Sequence, residues 1–137
     1  MLAHSLLALA LLPSFAMAQA DLPKAIVAVV GNADHFNIGQ DGYCGERTKI
    51  DRPNNASFKI PAEVKTYFFV RASIRDQMGL HFCEADFSFT PQPGKLHIIR
   101  FSIEQGRCNV QVFNSLAGTQ PEPFAFEFEA KRSCLLK

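Results

Sequence analysis

The chain has 137 residues, of which 47% are hydrophobic and 20% are charged, and its formal net charge is +1. This composition is typical of a globular protein and excludes an extended disordered chain. A net charge so close to zero argues against a nucleic-acid-binding protein, which normally carries a marked basic excess.

The first 20 residues have the pattern of an export signal. An apolar run over residues 6–12 is too short to span a bilayer, which needs about 20 residues. Small residues at Ala16, Ala18 and Ala20 fit a cleavage site after Ala18 or after Ala20. We therefore predict a signal peptide over residues 1–20 and a single domain over residues 21–137, without a transmembrane segment, in the periplasm or secreted.

Short segments with strand-like apolar patterns follow in the rest of the chain. Residues 64–75 alternate most clearly, with Phe68 and Val70 on one face and Tyr67 and Phe69 on the other. Further strands are predicted over residues 25–30, 57–60, 83–89, 96–103, 108–112 and 124–128. Residues 32–45 contain several glycine turns and are expected to form a loop. About seven strands and no helical period predict an all-β, immunoglobulin-like antiparallel sandwich.

Four cysteines, Cys44, Cys83, Cys108 and Cys134, follow the export signal, which predicts two disulfides. Cysteines that flank one strand of a sheet lie roughly 10 Å apart, which is too far for a disulfide. A Cys83–Cys108 bond therefore requires the corner at residues 91–94 to carry the chain between two sheets. We favour this bond together with Cys44–Cys134. The alternative is Cys44–Cys83 with Cys108–Cys134.

The sequence from Ile60 onward contains a set of scaffold motifs. They are Ile60-Pro61-Ala62, then Cys83 through Phe87-Ser88-Phe89-Thr90-Pro91 and Gly94, and finally Gly106-Arg107-Cys108. With these motifs the chain resembles small exported bacterial β-sandwich proteins of unassigned function. The resemblance implies a strand, a corner, a hairpin and paired cysteines, and it implies no catalytic residues.

An immunoglobulin-like strand order would place residues 64–75, 96–103 and 108–113 in one sheet. Their outward side chains would form an apolar patch with an arginine rim, which is typical of a protein interface. The predicted partner-binding residues are Tyr67, Phe69, Arg71, Arg75, Leu96, Ile98, Arg100 and Phe113. Two other interpretations stay open: a loop or the C-terminal segment covers this surface, or two copies of the chain meet there. A second basic cluster, Arg47, Lys49 and Arg52, is expected to be a solvated turn.

The leading functional prediction is a non-catalytic binding or accessory domain of the bacterial envelope that engages a protein partner and needs no cofactor. The alternative is a small metal-binding protein or hydrolase that uses His35, His81 or His97. Their spacing matches no zinc motif, and His97 shares a strand face with Ile99 and Phe101, which favours a position at the edge of the core. Cysteines in disulfides cannot act as thiolate nucleophiles.

Overall fold

The structure, a computed structural model, describes residues 23–135, and the predicted signal peptide lies outside them. These residues form ten strands and contain no helix, so none that could cross a membrane. The strands are β1 (Lys24–Gly31), β2 (His35–Gly39), β3 (Thr48–Lys49), β4 (Ser57–Pro61), β5 (Thr66–Asp76), β6 (Gly79–Phe89), β7 (Leu96–Glu104), β8 (Arg107–Ser115), β9 (Glu122–Pro123) and β10 (Glu127–Phe128).

The strands form two sheets of five strands each. Sheet A has the order β4-β1-β7-β8-β9, and sheet B has the order β10-β6-β5-β2-β3. β5 and β6 form a long hairpin that closes at Asp76 opposite Gly79, and β7 and β8 form another that closes at Glu104 opposite Arg107. β1 and β7 pair in parallel, so the prediction of a purely antiparallel sandwich is wrong at this pair.

The hydrophobic core contains side chains from both sheets, and the alternation along each strand decides which of them enter it. Phe68 of β5 is fully buried, whereas Tyr67 and Phe69 beside it are half-buried. Phe68 stacks on Phe87 and Phe89 of β6, with ring centroids 5.3 and 4.6 Å apart. Burial of each such side chain stabilises the fold by roughly 1.5–3 kcal/mol, so this stack is a main source of stability.

The chain crosses from sheet B to sheet A at residues 91–94, between β6 and β7. Pro91 is buried there, and its carbonyl accepts a hydrogen bond of 2.8 Å from the N–H of Glu63. The N–H of Gly94 donates to the carbonyl of Lys24 at 3.0 Å. These two bonds hold the corner against both neighbouring segments, and the crossing sets β7 in the sheet opposite β6.

The crossing brings cysteines of the two sheets together, as the favoured pairing requires. Cys83 of β6 bonds Cys108 of β8, with Cα atoms 5.4 Å apart, and joins the sheets. Cys44 bonds Cys134, so both predicted disulfides are confirmed.

Two segments differ from the sequence analysis, and the strands number ten instead of about seven. Residues 32–45, predicted to be a loop, contain β2, whose Phe36 and Ile38 are buried. An alternation of five residues beside several glycines is too short to separate from a loop. Of the predicted strand over residues 124–128, only Glu127–Phe128 forms a strand, β10. Phe124 and Phe126 instead pack their rings against the edge of the core.

His97 of β7 is a fully buried histidine that the fold keeps neutral. Its ring packs against Phe89 and Phe124, with centroids 5.5 and 5.1 Å away. Burial lowers the pKa of His97, and the nearby charge of Lys95 lowers it further. The Nε2 atom accepts a hydrogen bond of 3.2 Å from the N–H of Gln92, and protonation of that atom would break the bond.

We expect His97 to make the stability of the protein depend on pH. The unfolded ring takes up a proton near pH 6.5, whereas the folded ring resists protonation. The stability that comes from the neutral ring is thus fully present above pH 6.5 and decreases as the pH falls below that value toward the folded pKa. Denaturant titrations between pH 5 and 8 should show this decrease in the native protein and a smaller one in His97→Gln. Equal slopes in both proteins would contradict the assignment.

Candidate functional site

The structure divides the predicted binding face between the two sheets. The predicted residues of β5 are in sheet B: Tyr67, Phe69, Arg71 and Arg75. Those of β7 and β8 are in sheet A: Leu96, Ile98, Arg100 and Phe113. The prediction that these strands share one sheet is therefore wrong. The tight turn between β5 and β6 keeps both strands in sheet B, so the crossing after β6 separates both from β7 and β8.

Two segments that the Cys44–Cys134 disulfide joins lie against the outer face of sheet B. Residues 43–47 belong to the loop between β2 and β3, and residues 129–134 form the C-terminal segment. Together with the disulfide we call these segments the clasp. The ring of Tyr43 meets Tyr67 of β5 edge-on, with centroids 6.2 Å apart. A loop and the C-terminal segment thus cover this part of the predicted face.

Tyr43 lies between two arginines of the clasp. The guanidinium carbons of Arg47 and Arg132 are 5.1 and 4.8 Å from the centroid of its ring, within the range of cation–π attraction. Arg47 also contacts Asp86 of β6, with Nη1 and Oδ1 3.1 Å apart and side chains only 17% and 12% exposed. This shielded ion pair holds the loop to sheet B, so the prediction that Arg47 belongs to a solvated turn is wrong.

Glu129 holds the C-terminal half of the clasp to sheet B. Its side chain is only 6% exposed, and it accepts a hydrogen bond of 2.6 Å from the hydroxyl of Ser88. Lys65 and Arg132 place their nitrogens 3.4 and 2.6 Å from its carboxylate oxygens. The bond from Ser88 is the main cause that lowers the pKa of Glu129, and the two cations add to it. The carboxylate is therefore ionised at neutral pH.

The other predicted residues of β5 lie nearer the turn of the β5–β6 hairpin. Arg71 places Nη2 3.2 Å from Nε2 of His35, and its guanidinium carbon is 5.0 Å from the centroid of Phe82. Phe69 is half-buried, and Arg75 is exposed next to the turn. These side chains therefore contact sheet B itself and lie apart from the predicted residues of sheet A.

The outer face of sheet A keeps the other half of the predicted surface. Ile98 of β7 lies opposite Phe113 of β8, and Leu96 precedes it on the same face. β1 adds Ile26 and Val30, which are 39% and 40% exposed, and its register places Ile26 beside Leu96. We call Ile26, Val30, Leu96, Ile98 and Phe113 the apolar face of sheet A.

Two basic side chains, Arg100 and Lys59, lie beside the apolar face of sheet A. The guanidinium carbon of Arg100 lies 5.2 Å from the ring centroid of Phe113. The exposed Lys59 of β4 lies opposite Ile26. The sequence analysis missed Ile26 and Val30 because residues 25–30 are apolar at every position, so no alternation shows which side chains face outward. Only the pairing of β1 with β7 shows that Ile26 and Val30 face outward beside Leu96 and Ile98.

The histidines of the alternative prediction do not come together. His35 and His81 are on different strands of sheet B, and His97 is buried on β7 of sheet A. His81 contacts Asp76 at 3.2 Å near the exposed hairpin turn. In residues 23–135 no three histidine, cysteine or carboxylate side chains are grouped in a way that could hold a metal ion. The predicted histidines thus form no shared site.

No protein-family model, no curated protein and no solved structure matches this chain.

Glu129 and Glu127 provide a matched test of the clasp, because both contact Lys65 while only Glu129 is buried. We expect Glu129→Gln to destabilise the protein by about 1–3 kcal/mol, since it removes a charged acceptor from the buried hydroxyl of Ser88. Glu127 is 74% exposed, and Glu127→Gln should change stability by less than about 0.5 kcal/mol. Denaturant unfolding at neutral pH measures both. Equal losses would contradict the assigned role of Glu129.

Removal of the Cys44–Cys134 bond should release the clasp before the sheets unfold. The bond closes a sequence separation of 90 residues, and its loss through Cys44→Ser with Cys134→Ser should cost about 4–5 kcal/mol. The chain has no tryptophan and two tyrosines, Tyr43 of the clasp and Tyr67 of β5, which contact each other where the clasp meets sheet B. Tyrosine fluorescence therefore reports on the clasp and far-ultraviolet circular dichroism on the sheets. In the double variant the tyrosine transition should come at lower denaturant, and coincident transitions would contradict this view.

Proposed function

We propose that the protein is a non-catalytic, exported binding or accessory domain of the bacterial envelope and that it engages a protein partner through the apolar face of sheet A. The observation that carries this proposal is the difference between the two outer faces. The clasp covers sheet B around Tyr67, whereas Ile26 and Val30 on sheet A are exposed to solvent. A cluster of exposed apolar side chains on a small domain is typical of an interaction surface.

The chemistry of this face favours a protein partner with apolar side chains at the centre of its surface and carboxylates around them. Aromatic residues and arginine are enriched at the centres of protein interfaces, and here Arg100 stacks on Phe113. Lys59 adds positive charge at the β4 side. Acidic residues on the partner would complement these cations and accelerate encounter.

The finer details of the fold and of its location belong to the same proposal. An immunoglobulin-like arrangement is supported by two five-stranded sheets that a disulfide joins. Location in the periplasm or outside the cell is supported by two disulfides, which persist in oxidising compartments. The export signal over residues 1–20 and the resemblance to small exported bacterial proteins point the same way, on sequence alone.

A double variant of the apolar face tests the proposed partner. Ile98→Ser with Phe113→Ser removes two neighbouring side chains from the middle of the face, and capture of a partner from the envelope fraction should be lost. Because both side chains point out of the core, the disulfides and the circular dichroism should be unchanged. The control is Leu116→Ser, which removes a 51% exposed leucine beyond the end of β8 and should keep capture. Capture that survives in the double variant would refute the proposal.

A further inference from the structure

One edge of sheet B is open along the outer half of the β5–β6 hairpin. β6 pairs with β5 along its whole length, from Gly79 to Phe89. On its other side it pairs with β10 only at Phe87 and Ser88. Among residues 23–135, the stretch from Gly79 to Ala85 therefore has no strand beside it on that side.

The direction of the backbone groups along this stretch follows from one hydrogen bond. The carbonyl of Asp86 accepts a bond of 2.9 Å from the N–H of Glu129, so the polar groups of Asp86 point away from β5. Every second residue of a strand directs its N–H and C=O groups to the same side. Leu80, Phe82 and Glu84 therefore direct theirs to the open edge, where they can receive another strand.

The side chains of this stretch favour association instead of preventing it. Native edge strands are usually protected by lysine, proline or a bulge. The stretch from Gly79 to Ala85 contains neither lysine nor proline, and its pairing with β5 is regular. Its one acidic residue, Glu84, is paired with Lys131 of the clasp, with Oε2 and Nζ 3.3 Å apart. Leu80 and Phe82 are 51% and 57% exposed, and Met78 in the adjoining turn is 87% exposed.

We propose that this edge is a self-association site, at which β6 of one copy pairs antiparallel with β6 of a second copy around Phe82. Phe82 is the midpoint of the stretch from Gly79 to Ala85, and its own N–H and C=O groups point to the edge. An antiparallel pairing centred there joins Phe82 to Phe82 and Leu80 to Glu84 on both sides. The N–H and C=O groups of Leu80, Phe82 and Glu84, which point to the open edge, then each form a hydrogen bond with the second copy.

The register is compatible with the side chains and with β10. It places aromatic against aromatic at the centre, which stabilises a cross-strand pair, and it sets no like charges opposite each other. Arg71 already lies against the ring of Phe82, with its guanidinium carbon 5.0 Å from the centroid. The ring therefore loses little conformational freedom when the two copies associate. Because the pairing uses only Gly79 to Ala85, the pairs of β10 with Phe87 and Ser88 stay in place.

We expect this dimer to be weak, and we expect its formation to leave the proposed partner-binding face free. A contact between two seven-residue edges is small beside a standard interface, so we expect dissociation constants in about the micromolar range. The apolar face of sheet A lies on the other sheet and stays free in such a dimer.

Charge substitutions at Phe82 test the register, since this is the one residue that meets its own copy. Phe82→Lys and Phe82→Glu should each weaken self-association at least about tenfold, because like charges face each other at the centre. An equimolar mixture of the two variants should associate again, since lysine then faces glutamate. Sedimentation velocity over a range of concentrations measures all three samples, and the restored association also shows that both variants are folded.

The native protein and a charged variant on sheet A complete the experiment. The native protein should show a concentration-dependent dimer, and Ile26→Lys, which adds a charge on the apolar face of sheet A, should dimerise as the native protein does. In concentrated native samples the amide protons of Leu80, Phe82 and Glu84 should exchange more slowly than in dilute ones. A native protein that stays monomeric up to submillimolar concentration, or a mixture that stays monomeric, would overturn the proposal.

Discussion

The crossing of the chain between the sheets at residues 91–94 is the constraint on which the rest of this structure depends. It follows a hairpin that keeps β5 beside β6, so both strands stay in sheet B while β7 and β8 form the centre of sheet A. The Cys83–Cys108 bond joins the sheets across the core. The buried ring of His97 accepts a hydrogen bond from Gln92 in the corner itself, so core and corner are stabilised together.

The crossing also explains why the two outer faces differ. Sheet B carries Ser88 and Asp86 within reach of the clasp, and Lys65 lies immediately before β5. These groups pair with the clasp residues Glu129 and Arg47. The disulfide between Cys44 and Cys134 then keeps the two halves of the clasp over the sheet. Sheet A instead has a run of apolar residues on β1 beside apolar residues on β7, so its outer face stays partly apolar. We propose partner binding at that face and self-association at a third surface, the open edge of β6.

Much of the fold could be predicted from local patterns. The faces of β5 follow from strict alternation, and the spacing of His97 with Ile99 and Phe101 indicated a position at the edge of the core, where the structure buries the ring fully. The favoured disulfide pairing depended on a corner at residues 91–94 that crosses between the sheets, which the structure contains. β2 was missed because five residues beside several glycines give little alternation. Of the predicted binding face, the residues on β7 and β8 lie together in sheet A, while those on β5 lie in sheet B.

The sequence by itself determined the all-β class, the expectation of two disulfides and, for most strands, which side chains are buried, because alternation and the number of cysteines can be read directly along the chain. It favoured the observed cysteine pairing and left one alternative open, because the pairing depends on the crossing between the sheets. Only the tertiary structure decided which strands are neighbours. The parallel pairing of β1 with β7, the contact of Tyr43 with Tyr67 and the short pairing of β10 with β6 join residues far apart in the chain. Such contacts depend on the total packing and charge pairing of the folded molecule, and no local pattern of residues records them.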